Sequence, residues 1–159
     1  MKVLLQRVAE ASVTVNDETV GKIGAGLLLL VGVSKTDGPA QADILAQKCA
    51  ELRIFADVEG KMNLSAKDIG GEALVVSQFT LYGDCHKGRR PNFMAAASGE
   101  MAESIYQHFA RALRAHLPKV ETGIFGAMMK VNLINDGPVT FILERERKEE
   151  FSGAGSTEQ

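Results

Sequence analysis

The stretch NDGPVTF, residues Asn135–Phe141, lies between two apolar runs, GAMMKVNL (126–133) and VTFILE (139–144). Both runs read as strands, about Gly126 to Leu133 and Val139 to Glu144. Proline cannot donate to a sheet ladder, so Gly137-Pro138 is a turn, an edge position or a site. X-Pro bonds are cis in about 5–6% of folded cases, typically at tight turns. A cis Gly-Pro would turn its two carbonyl oxygens to one side, where they could accept hydrogen bonds from a ligand amine. Gly137 would leave the backbone open to close approach. The residues alone leave the three readings open.

Outward from there, the pattern is mixed α/β. KVLLQRV and ASVTV are short β-rich segments, followed by the turn residues of NDETVGKIGAG. GLLLLVGV (26–33) is continuously apolar, as in a strand covered on both faces. Ala42, Ile44, Leu45, Cys49 and Leu52 stand close to helical spacing, which predicts a helix from about Pro39 to Leu52. RIFADVEGKMNLS suggests a short strand with a turn, and ALVVSQFTL a strand from Ala73 to about Leu81. A second helix starts near the N-cap Ser98 and is stopped by Pro118. Along it Met101, Ile105, Phe109, Leu113 and Leu117 recur every four residues. There is no βαβ alternation with a phosphate loop; GKIGAG precedes a strand and lacks the helix such a loop needs. One domain over 1–146 is expected, with a disordered Gly/Ser-rich tail over 147–159.

The chain has 159 residues, 45% apolar and 24% charged, with a formal net charge of −2. A chain of this size buries enough surface to fold without staples. The charge predicts no bulk attraction to nucleic acid or membrane, although a local basic patch remains open. Cys49 and Cys85 are unpaired by motif, and His86, His108 and His116 show no ligand spacing, so neither a metal nor another cofactor is expected. No run approaches the ~18 apolar residues of a membrane span. These features predict a cytoplasmic protein that does not engage a membrane.

Four groups could carry chemistry. The segment SQFT presents Ser77 and Phe79 to one face and Gln78 and Thr80 to the other if the strand continues. Lys87, Arg89 and Arg90 form a basic loop suited to phosphate. Gly137-Pro138 is the third group. Phe125, Met128 and Met129 could pack on a base, or fill a core. Without more, these support only a soluble α/β domain and a hydrolase reading.

SQFTLYGD and NDGPVTF together resemble the two signature motifs of the D-aminoacyl-tRNA deacylase family. QRVAEASVTV, GLLLLVGV, RIFADVEGKMNLS and TGIFGAMMKVNLINDGPVTF resemble it as well, so the likeness covers about residues 1–145. It implies a compact barrel-like α/β subunit with two main helices, and a homodimer with active sites at the subunit interface. It implies hydrolysis of the ester of D-aminoacyl-tRNA, and of glycine mischarged on tRNA. By the same resemblance the Gly-Pro peptide is cis and enters the partner subunit's site. There Gly137 and Pro138 would exclude L side chains. Ser77, Gln78, Phe79 and Thr80 would line the site, with main-chain N–H groups near Phe79 and Thr80 receiving the ester oxygen. Arg7 would brace the Gly-Pro loop, and Phe125 and Met129 would pack around the terminal adenine. Lys87, Arg89 and Arg90 would meet tRNA phosphates. Thr80 is the evident nucleophile, yet no base is identifiable beside it. The substrate's own ribose 2′-OH, or a water it orders, is the preferred alternative. Two rival readings are a non-catalytic nucleic-acid-binding module and a hydrolase of free D-amino-acid esters.

Overall fold

The computed structural model describes residues 1–148. The expected tail falls, from residue 149 onward, outside the described residues. The elements are β1 (Lys2–Val15), β2 (Glu18–Ile23), β3 (Gly26–Gly32), α1 (Pro39–Glu51), β4 (Phe55–Ala56), β5 (Met62–Leu64), α2 (Ala66–Ile69), β6 (Glu72–Ser77), α3 (Gly99–Arg114), β7 (Lys119–Thr122) and β8 (Lys130–Glu144). The main sheet runs β2-β1-β3-β6-β7, with β8 paired to β1; β4 and β5 form a separate hairpin. The sheet curls until β2 lies over β6 and β7. At Gly21 a methyl would stand 2.9 Å from the Thr122 carbonyl oxygen and 3.1 Å from Leu74 Cδ1.

The apolar run of β3 is explained by its position. Leu27, Leu29 and Val31 face α1 and α3, packing with Leu45, Cys49, Ile105, Phe109 and Leu113. Leu28 points into the barrel with Val8, Val13, Ile23, Leu74 and Val76. A strand buried on both faces has no polar alternation to show. Helix α1 buries Ala42, Leu45 and Cys49 as its spacing predicts, and burial pushes the Cys49 thiol up to about 12. Ile44 and Met101 are exposed, so neither belongs to the core face of its helix. At the chain start the Met1 ammonium is buried, donating to Asp37 Oδ1 at 2.7 Å and to the Arg145 carbonyl at 2.7 Å.

Four expectations are corrected. KVLLQRV and ASVTV belong to one long strand, β1, because β2 and β3 take successive halves of its edge. The strand expected to reach Leu81 ends at Ser77 and turns into a 3-10 helix over Phe79–Tyr82. Its parallel partner β3 offers a last pairing at Val31–Ser77. The turn then packs over Gly32, where a methyl would lie 3.2 Å from the Gln78 carbonyl oxygen and 3.1 Å from Leu81 Cβ. The two C-terminal strands are a single strand, β8, antiparallel to β1 on both sides of an interruption at residues 136–139. Lastly, α2 and β7 have no counterpart in the sequence reading.

Candidate active site

Gly137-Pro138 occupies a bulge, the third kind of irregularity that a proline can mark in a sheet. Gln6 pairs with Thr140 and Val8 with Asn135, so Asp136–Val139 have no ladder partner; Asp136, Gly137 and Pro138 stand out opposite Arg7, while Val139 is buried. The Gly137-Pro138 bond is cis. Asn135 closes the bulge: its Oδ1 accepts from Val139 N–H at 3.0 Å, and its Nδ2 donates to Thr140 Oγ1 at 3.0 Å. Arg7 supports it from β1, with Nε donating to the Asp136 carbonyl at 2.9 Å and Nη1 to the Ile54 carbonyl at 2.7 Å. Charge-assisted bonds to two carbonyls fix the guanidinium and, through it, the loop.

The C-terminal end of β6 opens into a cleft of about 640 Å³. Ser77, Gln78 and Phe79 line it from β6 and the 3-10 turn, Phe125 and Met129 from the segment before β8. The floor is Val31, Val33 and Val76, and α3 contributes Ala102 and Tyr106. The 3-10 turn has a chemical consequence that the expected strand would lack. The first N–H groups of a helical turn have no acceptor within it. Gln78 N–H is taken by the Val31 carbonyl and Leu81 N–H by the Gln78 carbonyl. The amides of Phe79, which lines the cleft, and of Thr80 stand between them in the turn, without an intrahelical acceptor.

Thr80 is exposed and does not line the cleft; its hydroxyl accepts from the Gln78 side-chain amide. The strand alternation expected for Ser77 to Thr80 therefore does not occur. Among the described residues no Asp, Glu, His, Lys or Arg lines the cleft, whose polar side chains are Ser77, Gln78, Ser98 and Tyr106. Tyr106 donates to the Val75 carbonyl at 2.9 Å, and burial pushes its phenol up to about 12, so it remains a protonated donor. Among the described residues no three of His, Cys, Asp or Glu cluster as metal ligands would.

Sequence reasoning missed Phe93 and Tyr106. Phe93 meets Phe79 edge-on, with centroids 5.1 Å apart and planes at 67°. Its signal was an aromatic in the otherwise polar RRPNF loop. Tyr106 was the one hydroxyl on the apolar face of α3. Lys87, Arg89 and Arg90 are exposed on the loop beyond the 3-10 turn and line none of the described cavities. Gly137, Pro138 and Arg7 do not line the cleft of their own chain either. Among the described residues no helix is long and apolar enough to cross a membrane.

The chain matches the family described as D-Tyr-tRNA(Tyr) deacylase over residues 4–144. The D-aminoacyl-tRNA deacylase of Geobacillus sp. (strain WCH70) is 60% identical over 148 residues, which cover 93% of this chain and 97% of that protein. That of Thermus aquaticus is 55% identical over 148 residues, again 93% and 97%. Among solved structures, the c-Myc DNA Unwinding Element Binding Protein superposes with a TM-score of 0.87 at 41% identity, covering 92% of this chain and 100% of its own. A probable eukaryotic D-amino acid tRNA deacylase gives 0.77 at 18% identity, over 89% and 97%, a likeness of fold alone. With a family match that spans nearly the whole described chain and relatives this similar over almost their full length, the chain belongs to the D-aminoacyl-tRNA deacylase family, hydrolases that cleave the ester joining a D-amino acid to tRNA.

Proposed function

We propose that this chain acts as a chiral filter on aminoacyl-tRNA, and that each filter is completed by the Gly137-Pro138 bulge of a second copy. The observation that carries this reading is the separation of the two motifs. The bulge is exposed and braced, yet it does not line the cleft of its own chain. Strand β8, which bears the bulge, also leaves Leu133, Ile134, Phe141 and Ile142 exposed. Apolar side chains left exposed on an edge strand make a surface that a second copy would cover. In the assembled site the bulge carbonyls of Gly137 and Pro138 would lie against the substrate α-carbon. An L side chain collides with them, a D side chain points away, and glycine has none to collide. Discrimination is then steric exclusion, and glycine esters are cleaved too.

The chemistry proposed is assisted by the substrate. Among the described residues no charged side chain lines the cleft to act as base for a Thr80 nucleophile or for a water. The terminal adenosine packs against Phe125 and Met129, and the ester carbonyl oxygen receives the amides of Phe79 and Thr80 as negative charge develops. The ribose 2′-OH, or a water it holds, supplies the remaining proton chemistry. Positioning of this kind lowers a barrier by as much as ~7–11 kcal/mol, ample for a labile aminoacyl ester.

Matched D-tyrosyl- and L-tyrosyl-tRNA test the filter directly. Rapid loss of the D ester with the L ester spared is expected; equal cleavage of both removes the bulge as the filter. Binding of tRNA without cleavage of either ester would favour a binding module. Thr80→Val tests the mechanism. Its hydroxyl lies outside the cleft, so the rate with D-tyrosyl-tRNA should stay within about tenfold of wild type. Removing a true covalent nucleophile costs on the order of 10⁴–10⁶ in rate, and a loss of that size in a folded variant would reinstate Thr80.

A further inference from the structure

A second cavity, of about 450 Å³, runs along α3 toward its C-terminal end. Tyr106 and Phe125 line both this cavity and the cleft, so the two spaces lie on either side of the same aromatic pair. The rings are 5.8 Å apart with planes tilted by 41°. Beyond them the second cavity is polar, walled by Gln107, Arg111, Arg114 and Thr122. We infer that this groove is an anion subsite in which Arg111 and Arg114 hold the phosphodiester backbone of the nucleotides preceding the terminal adenosine. The inference rests on the proposed packing of that adenosine against Phe125.

Geometry and charge both support it. A polynucleotide whose last base packs on Phe125 must lead its backbone away from the cleft. The groove begins at that residue. Arg111 and Arg114 are three positions apart on one helix, which places their Cβ atoms ~5–6 Å from each other on a single face. By helical rise they stand roughly 7–12 Å along the axis from Tyr106. Guanidinium groups suit phosphate because their planar fork matches two oxygens at once. Among the described residues neither arginine has a carboxylate partner, whereas Lys2, Lys61, Lys67 and Lys119 each do. Among the described residues the one polar contact of either side chain is weak, from Arg114 Nη2 to the Val120 carbonyl at 3.5 Å. Glu103 also lines the groove, but two helical turns nearer the N-terminus, roughly 12 Å from Arg111. Gln107 holds its carboxylate at 3.3 Å.

The competing explanation is that cations in a last helical turn merely complement the helix dipole. That would account for the charge of Arg111 and Arg114, but it gives no reason for both to wall a cavity that shares Phe125 with the cleft. Kinetics separate the two accounts. D-tyrosyl-tRNA and 3′-O-(D-tyrosyl)adenosine are compared as substrates; the second lacks every preceding phosphate. The variants are Arg111→Gln, which removes no hydrogen bond from the fold, and the double variant Arg111→Gln/Arg114→Gln. For the double variant, KM with the tRNA substrate should rise about tenfold with kcat nearly unchanged. The slope of log(kcat/KM) against log salt should become shallower by about 1–2, one for each phosphate that is no longer held. The effect should be confined to the polynucleotide, and Arg111→Gln should show part of it without a change in melting temperature. Wild-type KM and salt slope in the double variant would overturn the inference, as would an equal loss on both substrates. Failure of the wild type to cleave the nucleoside ester would instead count against the adenosine packing, and the tRNA measurements would still decide whether the arginines hold phosphate.

Discussion

Gly26→Ala is expected to lower the melting temperature by roughly 6–12 °C and to depress deacylase activity, whereas Gly24→Ala, two residues earlier, should be nearly silent. Gly26 opens the parallel pairing of β3 with β6, opposite Glu72. A Cβ there would stand 1.9 Å from the Glu72 carbonyl oxygen and 2.7 Å from both its C and N atoms. These are backbone atoms, which cannot rotate away, so β6 must move off β3. Overpacking of a well-filled site typically costs about 1–3 kcal/mol, and a backbone collision belongs at the upper end. For a chain of this size each kcal/mol is worth about 2–4 °C, which gives the expected shift. At Gly24 the nearest atom to an added Cβ is Glu72 Oε2, at 4.0 Å. Activity should fall with stability because β6 delivers Ser77 and Gln78 to the cleft at its far end. Thermal melts of the two variants side by side check this; equal melting temperatures would mean that the β3–β6 contact is more compliant than its geometry shows.

Gly26 also illustrates what could be read from the chain and what could not. The continuous run from Gly26 to Val33 was legible as a doubly covered strand because burial on both faces erases alternation. Helices α1 and α3 were legible because their spacing is local, apart from Ile44 and Met101, which follow the period without reaching the core. The segment after Ser77 was not. Phe79, Thr80, Leu81 and Tyr82 all favour strands, but β3 has no residue left to pair with them. The space over Gly32, far away in sequence, draws them into a turn instead. Local propensity lost to a tertiary vacancy. Strand β7 was missed because Pro118 reads only as the end of a helix, and nothing in KVET announces a parallel pairing with β6. The site divides along the same line. Ser77, Gln78, Phe79, Phe125 and Met129 line one cleft, and Thr80 does not. Which amides are free there depends on the turn, and no pattern within SQFTLYGD reveals it.

Gly137→Ala should cost about 10²-fold in kcat/KM for D-tyrosyl-tRNA, and its defect should be rescued in trans. Gly137 has φ of +137°, where an L side chain is strained at a cost of order 1–3 kcal/mol. An added Cβ would lie 2.7 Å from Val139 Cγ2 and 3.0 Å from an Arg7 Nη atom. The first contact presses on a residue whose amide is already fixed by Asn135. The second displaces the guanidinium that holds Asp136 and Ile54. The bulge must therefore shift by some tenths of an ångström to about one, and a misplacement of ~1 Å in a positioning element costs on the order of 10²-fold in rate. The proposed assembly makes a sharper demand. In a two-fold dimer with bulges exchanged, Gly137→Ala spoils the site of the neighbouring copy and leaves its own cleft intact. Ser77→Trp, which fills the cleft, spoils its own site and leaves its bulge intact. Mixed in equal amounts and allowed to exchange, half of the dimers pair one variant with the other, and each of these holds one sound site. Roughly a quarter of wild-type activity should return from two nearly inactive proteins. If the bulge served the cleft of its own chain, every mixed dimer would carry two spoiled sites and mixing would restore nothing.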